Sequence, residues 1–264
     1  MDKAAVIEAL VPVYGRREAI AMAEWIAEEP EDSYNLSEVI ARLLKNEPLQ
    51  YIFGHTDWRG IRLELSADTL IPRPETSELV DEVLRLYSAH ALQGPVLDIC
   101  TGSGCIPIAL AKKQPSMPLF ACDIAEGALQ TAVRNAQNNN VSVTFFQQDI
   151  LSPDAAENIR IQTGCKSFDI IVANPPYICQ AERAEMDANV LDYEPALALF
   201  VPDADPLLFY RAIARLHLAP IACFEINRRF GQQTADLLRQ EGYPHTRILT
   251  DMFGEQRILI ASQS

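Results

Sequence analysis

The chain has 264 residues, 48% of them apolar and 22% charged, with 22 basic against 36 acidic side chains for a net charge of −14. This is globular composition, which excludes a disordered tail, a fibrous repeat and a disulfide miniprotein; no run of apolar residues is long enough for a transmembrane helix. The acidity is spread, residues 1–55, 56–94, 95–174 and 175–264 carrying −5, −3, −2 and −4, which argues against a basic face for a phosphate backbone.

The length suits one large domain and one small one. The first 50 residues read as helices. Leu36, Val39, Ile40, Leu43 and Leu44 form one apolar stripe over 35–46, and Asn35 with Glu38 resembles a capping box. An earlier helix is expected over about 16–29, ending before Pro30. From Thr56 to Leu65 the period becomes two, with a turn at Arg59-Gly60, which predicts a short hairpin. Pro72 and Pro74 then break regular structure, and a helix follows over about 75–88.

From Gly94 onward strands and helices alternate. Strands are predicted over 95–100, 119–123, 142–147, 168–173, 221–226 and 258–261. Helices are predicted over about 103–113, 125–138, 206–217 and 230–241. The alternation argues for an α/β fold with a parallel sheet covered on both faces, and 245–261 reads as a hairpin added at the sheet edge. The stretch 152–166 receives no function. Six cysteines, at 100, 105, 122, 165, 179 and 223, form no CxxC pair and lie away from the histidines, so reduced structural thiols are expected and no metal site.

Two motifs carry chemistry. The strand holding Asp98 runs into Cys100-Thr101-Gly102-Ser103-Gly104 and then a helix. Beyond the carboxyl end of such a strand a nucleotide lies in a doubly wound sheet, and small residues with free helix N-terminal amides let it approach. The loop is neither a P-loop nor a G-x-G-x-x-G turn. Asp123, ending the next strand, can accept from ribose hydroxyls, and Asp149, at the third, can reach an adenine amine. The plainer alternative is that each Asp caps the helix after it. The second motif is Asn174-Pro175-Pro176-Tyr177 at the end of the fourth strand. A planar amino group is a poor nucleophile because its lone pair is delocalised. Two acceptors, the Asn174 side-chain oxygen and the Pro175 carbonyl, can grip both N–H bonds and free that pair; the Tyr177 ring can pack flat on the amide. A rigid turn is the plainer alternative here.

Together these motifs resemble a class I S-adenosylmethionine-dependent methyltransferase acting on an amino group. More closely, the chain resembles the protein-(glutamine-N5) methyltransferases of peptide chain release factors. The likeness extends through Pro48-Leu49-Gln50-Tyr51-Ile52-Phe53-Gly54, Leu70-Ile71-Pro72-Arg73-Pro74-Glu75-Thr76 and Tyr193-Glu194-Pro195-Ala196-Leu197, with Glu225, Gly231 and Asp251, Gly254 and Arg257 at the family's C-terminal motifs. The resemblance implies a Rossmann-like sheet with a small N-terminal helical domain, divided as a substrate-docking domain 1–54, a hairpin and linker 55–74 and a catalytic domain 75–264.

It further implies that Asp98, Cys100, Thr101, Gly102, Ser103, Gly104, Asp123, Asp149, Ile150 and Asn174 bind S-adenosylmethionine, with S-adenosylhomocysteine as product. Asn174, Pro175 and Tyr177 would be catalytic. Arg73, Thr76 and Asn174 to Tyr177 would meet the substrate, the glutamine of a Gly-Gly-Gln loop in a release factor. A soluble, cytoplasmic monomer that does not bind nucleic acid directly is expected. Cys100 departs from the family, which has glycine there; if that position needs positive φ, cysteine carries a penalty. Ser77 stands where the family has Glu. The alternatives are methylation of an adenine amine in DNA or RNA, which the even acidity and the lack of a target-recognition domain disfavour, a ribosomal-protein glutamine methyltransferase, and a catalytically silent binding module.

Overall fold

The computed structural model describes residues 1–264. The chain divides into two units, residues 1–55 with 186–193, and 56–185 with 194–264. Apart from His55, the hairpin and linker expected over 55–74 lie in the second unit, and 186–193 goes with the first.

The first unit is helical. Helix α1 (Lys3–Glu28) is two helical segments meeting at Gly15, whose φ of 75° and ψ of 164° leave the helical region: the segment after Gly15 is the helix expected over 16–29, and the segment from Lys3, which contains Pro12, precedes it. Helix α2 (Leu36–Leu43) begins where Asn35 accepts from the Ser37 and Glu38 amides, satisfying two of the orphan donors of its first turn. Helix α3 (Leu49–Phe53) ends in left-handed Gly54. Their apolar stripes meet in a core of Val6, Leu10, Ile26, Val39, Leu43 and Leu49.

The second unit opens with the hairpin β1 (His55–Trp58) and β2 (Ile61–Glu64). Its two-residue turn has positive φ at both Arg59 (53°) and Gly60 (71°), the type I′ form whose twist matches the strands. Then follow α4 (Thr76–Ala89), β3 (Val96–Ile99), α5 (Cys105–Lys113), β4 (Leu119–Asp123), α6 (Glu126–Asn138), β5 (Thr144–Gln147), α7 (Ala155–Thr163), β6 (Ile170–Ala173) and β7 (Ile178–Cys179). After α8 (Ala188–Tyr193), which belongs to the first unit, come α9 (Ala196–Leu199), β8 (Phe200–Val201), α10 (Leu208–Arg215), β9 (Ile221–Glu225), α11 (Gly231–Gln240), β10 (His245–Thr250) and β11 (Gln256–Ser262). Helix α7 lies in the stretch left without an assignment.

The main sheet runs β10-β11-β9-β6-β3-β4-β5. Strands β3, β4, β5, β6 and β9 are parallel, and the β10–β11 hairpin adds antiparallel at the β9 edge. This is a Rossmann-like α/β sheet. Alternate side chains feed two cores. Leu97, Ile99, Ile171 and Phe224 pack with Ile159, Tyr210 and Leu238 on one face; Val96, Val172, Cys223 and Ile260 pack with Leu79, Val83, Ile108 and Trp58 on the other. From β3 the chain steps to β4 and β5 on one side, then crosses to β6 on the other. That reversal opens a crevice beyond the carboxyl ends of β3 and β6, the place where ligands bind in open α/β sheets.

Candidate active site

Both sequence motifs reach this crevice. A cavity of about 310 Å³ is lined by Cys100 to Ser103, Asp123, Asp149, Ile150, Asn174, Pro176, Arg73 and Thr76, with further residues from α9 and α10; the size is that of a small-molecule site. Four predicted residues do not line it. Asp98 is fully buried within β3. Gly104 is spent on packing, since a Cβ there would stand 3.1 Å from Ala132 Cβ. Pro175 is buried. Tyr177 packs partly buried on the sheet core with its hydroxyl donating to Glu225 Oε1 at 3.0 Å.

The donor-side loop is a polar cradle. Asp123 Oδ2 accepts from the Gly102 amide at 2.8 Å and Oδ1 from the Ala125 amide at 3.0 Å. The carboxylate thus ties two loops together, its capping being local, while spare lone pairs remain for a ligand. Burial raises its pKa, opposed by those amides. Asp149 Oδ1 accepts from Leu151 N at 2.8 Å. Asp98 is the unusual group: neither of its oxygens nor the buried Thr101 hydroxyl makes a well-formed hydrogen bond, the two being close enough only for a weak one to each other. Burial pushes the Asp98 carboxyl up to about 8, with the Thr101 hydroxyl opposing and Asp123 reinforcing. Buried polar atoms without well-formed hydrogen bonds are costly, and of these two residues Thr101 lines the cavity.

Cys100 has φ of 63°. The position therefore demands the left-handed conformation that glycine adopts freely, and cysteine is held there under strain. Burial holds its thiol well above the usual thiol range, as it does for Cys122, so neither is poised as a nucleophile. All six cysteines are free.

The loop is braced from outside. Asn135 on α6 donates Nδ2 to the Ser103 carbonyl at 2.9 Å and to the Glu64 carbonyl at 3.0 Å, and accepts from Glu64 N at 2.6 Å. One buried amide thus fastens the hairpin and the cradle to the same helix.

On the opposite wall, Trp58 Nε1 donates to the Arg73 carbonyl at 2.8 Å. The Arg73 guanidinium donates to Glu194 Oε1 at 2.7 Å, while Ile71 N donates to Glu194 Oε2 at 3.4 Å. The Glu194 side chain is 2% exposed against 32% for Arg73, so the pair presents a cation at the cavity and buries its counter-ion. Asn174 Nδ2 donates to Thr76 Oγ1 at 3.3 Å, and Thr76 Oγ1 donates to Glu225 Oε2 at 2.6 Å. Burial raises the Glu225 carboxyl; the Thr76 and Tyr177 hydroxyls and Arg257 pull it down, and Glu75 adds a small rise. Arg257 is itself held by Asp251 at 3.1 Å.

Sequence reasoning missed several lining residues: Asp68, Ile124, Gln148, Leu151 and Phe209. Ile124 and Leu151 were detectable, being apolar residues just past Asp123 and Asp149; they are 44% and 42% exposed beside the polar cradle, an apolar surface for a planar base. Glu225 was noted in the sequence only as part of a motif.

A parallel-strand crevice with an acid-and-glycine cradle on one wall and an Asn-Pro-Pro turn on the other defines a class I methyltransferase. Residues 76–191 match the family described as Methyltransferase small domain. The chain is 45% identical to a release factor glutamine methyltransferase of Bacteroides thetaiotaomicron over 86% of this chain and 80% of that one. It is 42% identical to the enzyme of that name from Flavobacterium psychrophilum, over 84% and 77%. The chain belongs to the release factor glutamine methyltransferase family. In fold it is similar to the solved structure of human methyltransferase 10 domain containing protein, with a TM-score of 0.57, 16% identity, and 88% and 99% of the two chains covered.

Proposed function

We propose that this enzyme transfers a methyl group from S-adenosylmethionine to the side-chain amide nitrogen of the glutamine in the Gly-Gly-Gln loop of a peptide chain release factor. The observation that carries this reading is one cavity shared by the Asp123 cradle and Asn174, in a chain whose relatives bear that name. The Asp98 and Thr101 polar atoms, which lack well-formed hydrogen bonds, fit a donor with cationic groups. Residues 100–103 would hold its amino-acid end, with Asp98 buried beneath them, Asp123 its ribose hydroxyls, and Asp149, Ile150, Ile124 and Leu151 its adenine. The bound donor supplies an electrophilic methyl group on a sulfonium sulfur.

The chain's own part is orientation. Asn174 Nδ2 is engaged by Thr76, which leaves its oxygen to accept one substrate N–H, and the Pro175 carbonyl accepts the other. Gripping both N–H bonds in place localises the nitrogen lone pair and supplies hydrogen bonds that strengthen as charge develops on nitrogen. The methylated nitrogen is acidic enough to lose its proton to solvent, so no general base is needed. Arg73 and Thr76 bound the substrate mouth, and the N-terminal helical unit docks the release factor. On this reading the chain works in the cytoplasm, as a monomer, on a protein and not on nucleic acid.

The test is incubation with methyl-labelled donor and, in separate reactions, release factor, a ribosomal protein and duplex DNA. Label on the release factor glutamine alone is the expected result. Label on DNA or the ribosomal protein, with none on the release factor, would overturn the reading.

A further inference from the structure

We infer that Glu225 is a positioning residue: through the Thr76 hydroxyl it fixes the Asn174 side-chain amide with its oxygen turned to the substrate. This rests on the function proposed above and extends it from the motif to a residue 51 positions beyond Asn174.

The argument is one of hydrogen-bond polarity. Glu225 ends β9 and is 1% exposed. A carboxylate only accepts, whereas a hydroxyl has a single proton to donate. With Thr76 Oγ1 donating to Glu225 Oε2 at 2.6 Å, its proton is committed, and it can offer Asn174 only lone pairs. Asn174 must therefore present Nδ2, as the 3.3 Å contact shows. The amide oxygen is then the end left for the acceptor role. The reversed amide would point two N–H donors at a substrate that is itself a donor, and the lone-pair grip would be lost. Tyr177 donates to the second Glu225 oxygen at 3.0 Å, so both lone-pair faces of the carboxylate are directed, and the same carboxylate holds both ends of the Asn174 to Tyr177 turn. Arg257, anchored by Asp251, offsets its charge from the far side. Backbone geometry alone would place the Asn174 side chain without choosing which of its ends faces the cavity; the carboxylate makes that choice.

The test is a double-mutant cycle with two readouts. Thr76→Val keeps the shape and removes the relay, Thr76→Ser keeps the hydroxyl, and Glu225→Gln offers two donors, Thr76 and Tyr177, a single acceptor. With release factor as acceptor, Thr76→Val is expected to lower kcat by about 10- to 100-fold, with donor Kd within about twofold. Thr76→Ser restores most of the rate. Glu225→Gln lowers kcat, and adds little once Asn174 is already Ala, because both act through that amide. The second readout does not depend on turnover: the Asn174 side-chain NH2 resonances, assigned by their loss in Asn174→Ala, should move and exchange faster in Thr76→Val and in Glu225→Gln. A purely structural Glu225 predicts additive losses and unmoved Asn174 resonances, which would overturn the inference even if both variants lose activity or stability. Should the wild type methylate no release factor, the function proposed above fails while the resonance readout still decides the role of Glu225.

Discussion

Replacing Asp98 by Asn is expected to make the protein more stable and its donor binding weaker. The folded carboxyl, with a pKa near 8 against an ordinary 3.8, holds a proton at pH 7 that the unfolded chain releases. At about 1.4 kcal/mol per pH unit, holding that proton costs on the order of 4 kcal/mol at pH 7. A buried, incompletely paired carboxamide costs roughly 1–3 kcal/mol in its place, leaving a net gain of about 1–3 kcal/mol. The pH dependence is the sharper signature. Because the folded state binds the extra proton, this group makes stability fall as pH rises from about 4 to about 8, and contributes no slope above that window. Urea unfolding of both proteins at pH 5.5, 7.0 and 8.5 should therefore show a gap in favour of Asp98→Asn that widens by roughly 3 kcal/mol from the lowest to the highest pH. Calorimetry should show weaker donor binding, since the carboxylate that the ligand's cationic group repays is gone. A gap that stays constant with pH would refute the reasoning, as would a variant that is less stable at pH 8.5.

Cys100→Gly should relieve the left-handed strain, worth about 1–2 kcal/mol, against a glycine entropy cost of about 0.5–1 kcal/mol. Thermal unfolding should register between no change and about 1.5 kcal/mol of stabilisation, with donor affinity kept or tightened; a marked loss of either contradicts the strain at φ 63°. Asn135→Ala leaves the Ser103 and Glu64 groups without their partner and should lose roughly 3 kcal/mol in urea unfolding, with weaker donor binding because the cradle loses its brace. Arg73→Ala strands the buried Glu194 carboxylate. It should raise KM for the release factor more than it changes donor Kd, so an unchanged KM would remove Arg73 from the substrate mouth.

The β–α alternation was legible because strand-length apolar runs and helix-length periods follow one another with little insertion. Register with the observed strands is good for the same reason: 119–123 is the strand β4 itself. The first segment of α1, before the break at Gly15, was not legible because it contains Pro12; packing of Val6 and Leu10 into the helical core goes with it. Helix α7 buries only Ala155 and Ile159, too little apolar pattern to announce itself. In the site, the Cys100 to Gly104 loop and the Asn174 turn were found because chemistry sits at strand ends, which a sequence marks. The penalty expected at Cys100 has its counterpart in the structure, a φ of 63°. What could not be read were the partners that orient the motifs. Thr76 and Glu225 are 149 residues apart and Glu64 and Asn135 are 71; no local pattern couples them, and only the tertiary fold brings them together. Tyr177 belongs here too: its hydroxyl bond to the buried Glu225 carboxylate, 48 residues on, left no mark in the sequence.

The most direct test of the account is Asn174→Ala, assayed for methyl transfer to a release factor and, in parallel, for S-adenosylhomocysteine binding by calorimetry. If Asn174 grips the glutamine amide, transfer falls by at least about a hundredfold while donor-side binding stays within about threefold. Equal loss of both, or transfer that persists, would contradict it.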